Sequence, residues 1–210
     1  MRTIAVISLL NEKQGDFLWN DYIQQYIANT RLHDFVGRVA LSSRWQYSRV
    51  AELYSKKGRV QSADLTSMVA YEVGEGEFGK PYQGLLLLVP RRIYLGKTPV
   101  IGVYTPGENF TLALSTWNLG NSGDMGRALD EEWYNRVAKT VVYLLGLAQG
   151  MKSCAQDKCI MNHAEYDSKK GLESFLKKLD EQTGFCEEHR KPQLLLPKPE
   201  PESKDNKEGQ

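Results

Sequence analysis

Apolar residues recur along this chain in two rhythms, and the point where one gives way to the other divides it. Residues 3–10 are almost continuously apolar and predict a buried first strand. Between 16 and 30, Phe17, Leu18, Tyr22, Tyr26 and Ile27 fall at helical spacing, so an amphipathic helix follows. Alternation over 35–42 predicts a second strand, and 46–57 a second helix with Val50, Leu53 and Tyr54 on one face. Four short apolar stretches, at 68–73, 84–89, 100–104 and 110–116, then read as strands punctuated by Gly, Pro and Asn.

From Asp124 onward the helical rhythm takes over. Asp130, Glu131 and Glu132 stand near the start of a long helix, where acids complement the macrodipole. That helix runs to about Ala148, with Gly150 placed as its C-terminal cap. Its second half, 141–148, is apolar on every side, the pattern of a central buried helix. A further helix is predicted over 168–182. Strands first and helices later imply an α+β domain over 1–190. Residues 191–210 are rich in Pro and charge and bury too little to order themselves, so a flexible tail is expected there.

Composition narrows the function classes. The chain has 210 residues, 41% of them hydrophobic, yet no apolar run reaches membrane-spanning length. With 27 basic and 26 acidic residues, nothing draws it to nucleic acid or to an anionic membrane. The first ten residues faintly suggest an export signal, but Asn11-Glu12-Lys13 follow without a small-x-small cleavage site. The three cysteines are an odd number, which suits a reducing cytoplasm better than a disulfide framework.

Several motif-like stretches carry little chemistry. Residues 74–79 match G-x-G-x-x-G, but Lys80-Pro81-Tyr82 cannot open a helix and two glutamates would repel a pyrophosphate. Gly96-Lys97-Thr98 lacks the upstream glycine of a phosphate loop and reads as a turn. Asn109-Phe110-Thr111 is a glycosylation sequon, idle without export. Arg91, Arg92 and Lys97 suit a solvated strand end.

The cysteines themselves carry more. Cys154 and Cys159 are spaced C-x4-C, while Cys186 and His189 form C-x-x-H. Three thiolates and one imidazole make a closed tetrahedral set suited to one structural Zn(2+). The bland alternative is scattered buried cysteines beside a surface histidine.

From Lys139 onward the sequence resembles the archaemetzincins, metzincin-like zinc metallopeptidases. Their helix carries H-E-x-x-H-x-x-G-x-x-H, followed at once by C-x4-C-x-M and later by C-x-x-C. Gly150 matches the motif glycine, Cys154 the first cysteine, and Cys159-Ile160-Met161 the segment whose methionine turns beneath the catalytic metal. His189 takes a cysteine's place in the last pair, an exchange zinc tolerates. Upstream, only the order of elements and a stretch at Arg44-Trp45-Gln46-Tyr47 resemble the family. The resemblance implies a zincin-like mixed sheet packed on helices, with a C-terminal structural zinc.

The departures fall where the family does its chemistry. Tyr143, Leu144, Leu147 and Ser153 stand at the positions of the first histidine, the glutamate, the second histidine and the third. In an active member the histidines hold a zinc whose bound water ionises near pH ~7 and is deprotonated by the glutamate. Leucines can neither ligate nor ionise, and a phenol and a hydroxyl are poor substitutes at neutral pH. The reading is therefore a catalytically inactive relative, a protein-binding or structural subunit with a protein or peptide partner. The rival is a zinc-dependent hydrolase with a rearranged site drawing on His163 and Glu165; His33 reads as part of a polar turn. Gln193-Leu194-Leu195-Leu196-Pro197 in the tail is a candidate docking element, or simply part of a disordered end.

Overall fold

The computed structural model of the chain describes residues 3–8, 22–28, 30, 32, 38–41, 59–61, 84–89, 92–105, 110–117, 119, 131–162 and 169–190. Outside them lie the helix expected over 46–57, the strand over 68–73, the turn at 74–79 and the tail from 191. The start of the helix expected over 16–30 also lies outside them, as do His33, Asn109, His163 and Glu165.

Among the described residues the elements run β1 (Thr3–Ser8), α1 (Gln24–Ile27), β2 (Arg38–Leu41), β3 (Arg59–Gln61), β4 (Gly84–Val89) and β5 (Arg92–Leu95). They continue with β6 (Thr98–Val100), β7 (Gly102–Thr105), β8 (Phe110–Ser115), α2 (Glu131–Ala148), α3 (Lys169–Glu181) and α4 (Glu187–Arg190). The main sheet has the order β2-β1-β4-β8-β7. Its first four strands are parallel, and β7 joins antiparallel to β8 at the edge. This is the mixed sheet with helices that the sequence predicts.

The sequence of β4, Gly84-Leu85-Leu86-Leu87-Leu88-Val89, shows why it is central. A parallel strand covered on both faces needs apolar side chains at successive positions, and Leu86 to Val89 are all buried. Beside it, β8 buries Phe110, Leu112, Ala113 and Leu114. Helix α2 lies against β7 and β8. It supplies Val137, Val141, Leu144 and Leu145 to the same core. Contact is close. A Cβ on Gly102 of β7 would stand 2.5 Å from a methyl of Leu144 and 2.7 Å from the Ala113 carbonyl oxygen.

One expectation needs correction. The strand predicted over 100–104 is interrupted at Ile101, where the chain leaves one sheet for another. Val100 closes β6, which pairs with β5 around a turn at Gly96–Lys97, whereas β7 pairs with β8. A small sheet of order β3-β5-β6 results. Its strands are short, and β5 and β6 bury only Ile93 between them, so no apolar alternation announced them.

Polar clamps fix the helices where they meet. Arg136 of α2, buried, donates from Nε and Nη2 to the two carboxylate oxygens of Asp180 at 2.7 and 2.6 Å, and also pairs with Glu132. Lys139 Nζ donates to the Leu179 carbonyl at 2.6 Å, capping the end of α3. Burial lowers the pKa of that ammonium, against the opposing pull of Asp180. Aromatic stacking anchors α1: the rings of Tyr22 and Tyr134 lie 5.2 Å apart and nearly parallel. No helix among the described residues is long and apolar enough to cross a membrane.

Candidate metal centre

Two loops, one after each long helix, build the site. The first begins where α2 stops. Gly150 adopts φ +78°, a conformation that disfavours side chains, and the chain turns back there. Gly150 N–H donates to the Leu147 carbonyl and Met151 N–H to that of Gly146, both at 2.9 Å. This crossed pair of bonds is the Schellman closure of a helix end. It confirms the predicted glycine cap and sends the chain into 151–162. Met161 returns beneath the helix, where its sulfur would lie 2.7 Å from a Cβ on Gly146. Only the absence of a side chain at Gly146 lets the methionine turn sit there.

The second loop leaves α3, whose end is held by the Lys139 and Arg136 contacts. Residues 182–184 then run beside 158–160. Ile160 N–H donates to the Gly184 carbonyl at 2.8 Å and Thr183 N–H to that of Lys158 at 3.1 Å. Gln182 adds a bond from Nε2 to the Asn162 carbonyl at 2.6 Å. Cys159 and Gly184 thereby form an isolated parallel bridge. Backbone pairing, with Cys159, Ile160, Met161 and Phe185 buried in the core beside it, brings C-x4-C opposite C-x-x-H.

Four donor atoms converge. The Sγ atoms of Cys154, Cys159 and Cys186 and a ring nitrogen of His189 all lie within 4.8 Å of one another. Cys154 and Cys186 are 3.8 Å apart at sulfur, and Cys159 Sγ is 3.7 Å from His189 Nδ1. A zinc tetrahedron with Zn–S near 2.3 Å and Zn–N near 2.0 Å has edges of about 3.8 Å between sulfurs and about 3.5 Å from sulfur to nitrogen. Those two separations fit. Cys186 Sγ and Nδ1 stand closer, at 3.0 Å, a hydrogen-bond distance that has to widen by about 0.5 Å to admit an ion. Cys159 and His189 are buried, while Cys154 and Cys186 are partly exposed.

The histidine supplies an independent test of fit. Its Nε2 lies 3.0 Å from the Lys152 carbonyl oxygen. A carbonyl can only accept, so Nε2 carries the proton and, in the neutral ring, Nδ1 turns its lone pair toward the sulfurs. A ligating histidine is normally oriented by such a partner. Backbone N–H groups serve the sulfurs in the same way: Gln156 N–H reaches Cys154 Sγ at 3.4 Å and Cys186 N–H reaches Cys159 Sγ at 3.5 Å. The four residues proposed from spacing come together as a Cys3His cluster able to hold one zinc ion. Sequence reasoning missed the Lys152 carbonyl, and no signal marks it, since every residue carries a carbonyl.

The thiols differ in their protonation. Burial pushes Cys159 up to about 12, with N–H contacts from Cys186 and Met161 only partly opposing it. At Cys186 burial acts in the same direction but is outweighed by hydrogen bonds with the ring and backbone of His189 and with the other two thiols, which bring it to about 7. The metal must therefore displace a proton from Cys159 at any ordinary pH.

The helix face beside this cluster has a different character. Tyr143 and Leu147, four apart on α2, are both half-buried, and Leu144 is buried against Gly102. Ser153, exposed on the first loop, is hydrogen-bonded to Tyr143. Burial and the nearby Tyr104 raise the Tyr143 pKa, the Ser153 bond partly offsetting them, so the phenol stays neutral. Among the described residues the Cys3His set is the one group of three or more metal-ligating side chains.

Comparison with solved structures identifies the fold. The chain is similar to archaemetzincin from Methanopyrus kandleri, at 17% identity and TM-score 0.59 over 90% of this chain and 91% of that one. It is also similar to archaemetzincin from Archaeoglobus fulgidus, solved with malonate, at 18% identity and TM-score 0.53 over 89% and 96%. A zinc-dependent peptidase from Methanocorpusculum labreanum gives 17% identity and TM-score 0.53 over 89% and 97%. No protein-family model matches the sequence, and no curated protein does. The fold is archaemetzincin-like across nearly the whole chain.

Two outcomes follow from this geometry. Cys159→Ser removes a buried ligand and should abolish stoichiometric zinc retention. Losing roughly 2–4 kcal/mol of metal linkage should lower the melting temperature by about 5–15 °C, measurable by calorimetry alongside elemental analysis. Because protons compete for Cys159 throughout the range below about 12, zinc affinity should fall at least about tenfold for each unit of pH lost. Below about 7, protonation of Cys186 should steepen that fall, and competition titrations with a chromogenic chelator between pH 6 and 8.5 measure both slopes.

Proposed function

We propose that this chain is a non-catalytic protein of archaemetzincin-like fold, carrying one structural zinc and serving as a protein-binding or structural subunit. One observation carries the reading: on the helix that leads into the Cys3His loop and in that loop, the side chains at the catalytic-motif positions are Tyr143, Leu144 and Leu147, then Ser153. Their chemistry is the support. Leu144 is packed in the core and cannot accept a proton. Tyr143 is held neutral and bonded to Ser153. A site that polarises water needs an open metal position held by imidazole or carboxylate ligands, which these four residues do not offer.

The zinc, on this reading, supplies cross-linking rather than Lewis-acid chemistry. All four of its positions would be filled by Cys154, Cys159, Cys186 and His189, leaving none for a substrate. What remains available for function is surface. Strand β7 ends the main sheet in its described part, and Tyr104 on it is 41% exposed, beside the Tyr143 and Ser153 pair. An extended peptide could add to such an edge through backbone bonds that need no metal. The three free cysteines favour a reducing setting such as the cytoplasm.

The correspondence of motif positions can be tested by rebuilding them. Tyr143→His, Leu147→His and Ser153→His combined leave the buried Leu144 untouched, and all three positions are at least partly accessible. The variant should bind two zinc ions per chain, against one in the parent, with the second removed readily by chelators. A folded variant, checked by circular dichroism, that still binds one would break the correspondence. A second labile zinc in the unaltered parent, with peptidase activity, would overturn the non-catalytic reading itself.

A further inference from the structure

Exposure is unevenly distributed among the three sulfurs. Cys159 is enclosed, at 1% exposure, whereas Cys154 and Cys186 both reach solvent and hold their Sγ atoms 3.8 Å apart. Cys154 lies in a loop whose neighbours Lys152, Ser153, Ala155, Gln156, Asp157 and Lys158 are all exposed, so an oxidant reaches its sulfur from solvent. A disulfide needs the sulfurs to close to about 2.05 Å, a movement of under about 2 Å. We infer that Cys154 and Cys186 form an oxidation site that takes a hydroperoxide as co-substrate and exchanges the zinc cross-link for a disulfide. The inference rests on the zinc reading.

The chemistry balances with that single oxidant. One exposed thiolate attacks a peroxide oxygen: a sulfur–oxygen bond forms, the oxygen–oxygen bond breaks, and the departing alkoxide takes up a proton. The sulfur, now a sulfenic acid, has lost two electrons to the peroxide. The second thiolate attacks it, forming the sulfur–sulfur bond and expelling hydroxide, which leaves as water after a second proton. Two ligands, Cys159 and His189, then remain, too few for a closed tetrahedral site, and the ion is released. The loops stay linked. Because the disulfide joins the same two segments that the metal joined, the tie between 154 and 186 survives while the ion is lost.

Treating the zinc-loaded full chain with hydrogen peroxide tests this. Expected are release of one zinc per chain to a chromogenic chelator, a mapped Cys154–Cys186 disulfide, an unmodified Cys159, and recovery of zinc binding after thiol reductant. Retained far-ultraviolet circular dichroism should accompany the release. Over-oxidation to sulfinic acid without a disulfide, or a disulfide that includes Cys159, would overturn the inference. So would zinc that stays bound after excess peroxide. The zinc content measured before peroxide separates the two readings: a chain that never held zinc defeats the structural-zinc reading and this exchange with it, whereas zinc held at the start and then not exchanged defeats the exchange alone.

Discussion

Two short backbone pairings, Ile160 to Gly184 and Thr183 to Lys158, hold the C-terminal third in register, and the cluster of sulfurs depends on them. The loop on which Cys154 rides is held by polar bonds rather than by burial, among them Cys154 N–H to the Met161 carbonyl and Cys159 N–H to that of Gln156, both at 3.0 Å. From Lys152 to Lys158 every residue but Cys154 is exposed, so hydrophobic burial contributes little to ordering this stretch. Burial resumes at Cys159, Ile160 and Met161 on one side and at Phe185 on the other. A metal seated between these anchors would close a loop of polar residues that the core alone leaves unsupported. The same logic explains why the ligands come in two short pairs, each presented by a single turn, on segments already aligned by main-chain bonds.

The helix α2 connects this region to the rest of the domain. Its buried face fills the space beneath β7 and β8, its polar side chains clamp α3, and its glycine-closed end launches the first loop. Gly146 and Gly102 mark where the helix packs closely, against Met161 and through Leu144 respectively. On the proposed reading this helix has lost its chemical duties and kept its structural ones. The replacements are of a kind that suits the change: Leu144 adds to the core, and Tyr143 with Ser153 satisfies its own polar atoms.

Legibility of the sequence followed burial. Elements buried on both faces, such as β4, or carrying a long apolar surface, such as α2, were readable because hydrophobic spacing reports them directly. The small sheet of β3, β5 and β6 was not, since β5 and β6 are only three to four residues long with one buried side chain between them, and β3 pairs with β5 from far away in sequence. The break at Ile101 was hidden because one continuous apolar run serves two sheets in succession. In the metal centre, ligand identity was legible from C-x4-C and C-x-x-H, and the glycine cap from Gly150. The orienting Lys152 carbonyl and the unequal exposure of the sulfurs were not, because both are set by how the loops cross.

On the proposed reading a closed Cys3His zinc stands beside a helix that holds no metal. X-ray absorption at the zinc edge, on protein purified without added metal, tests it most directly. It should report a first shell of three sulfurs near 2.3 Å and one nitrogen near 2.0 Å, unchanged by competing small ligands. A shell dominated by nitrogen and oxygen, or one that exchanges an oxygen donor for added ligand, would contradict it.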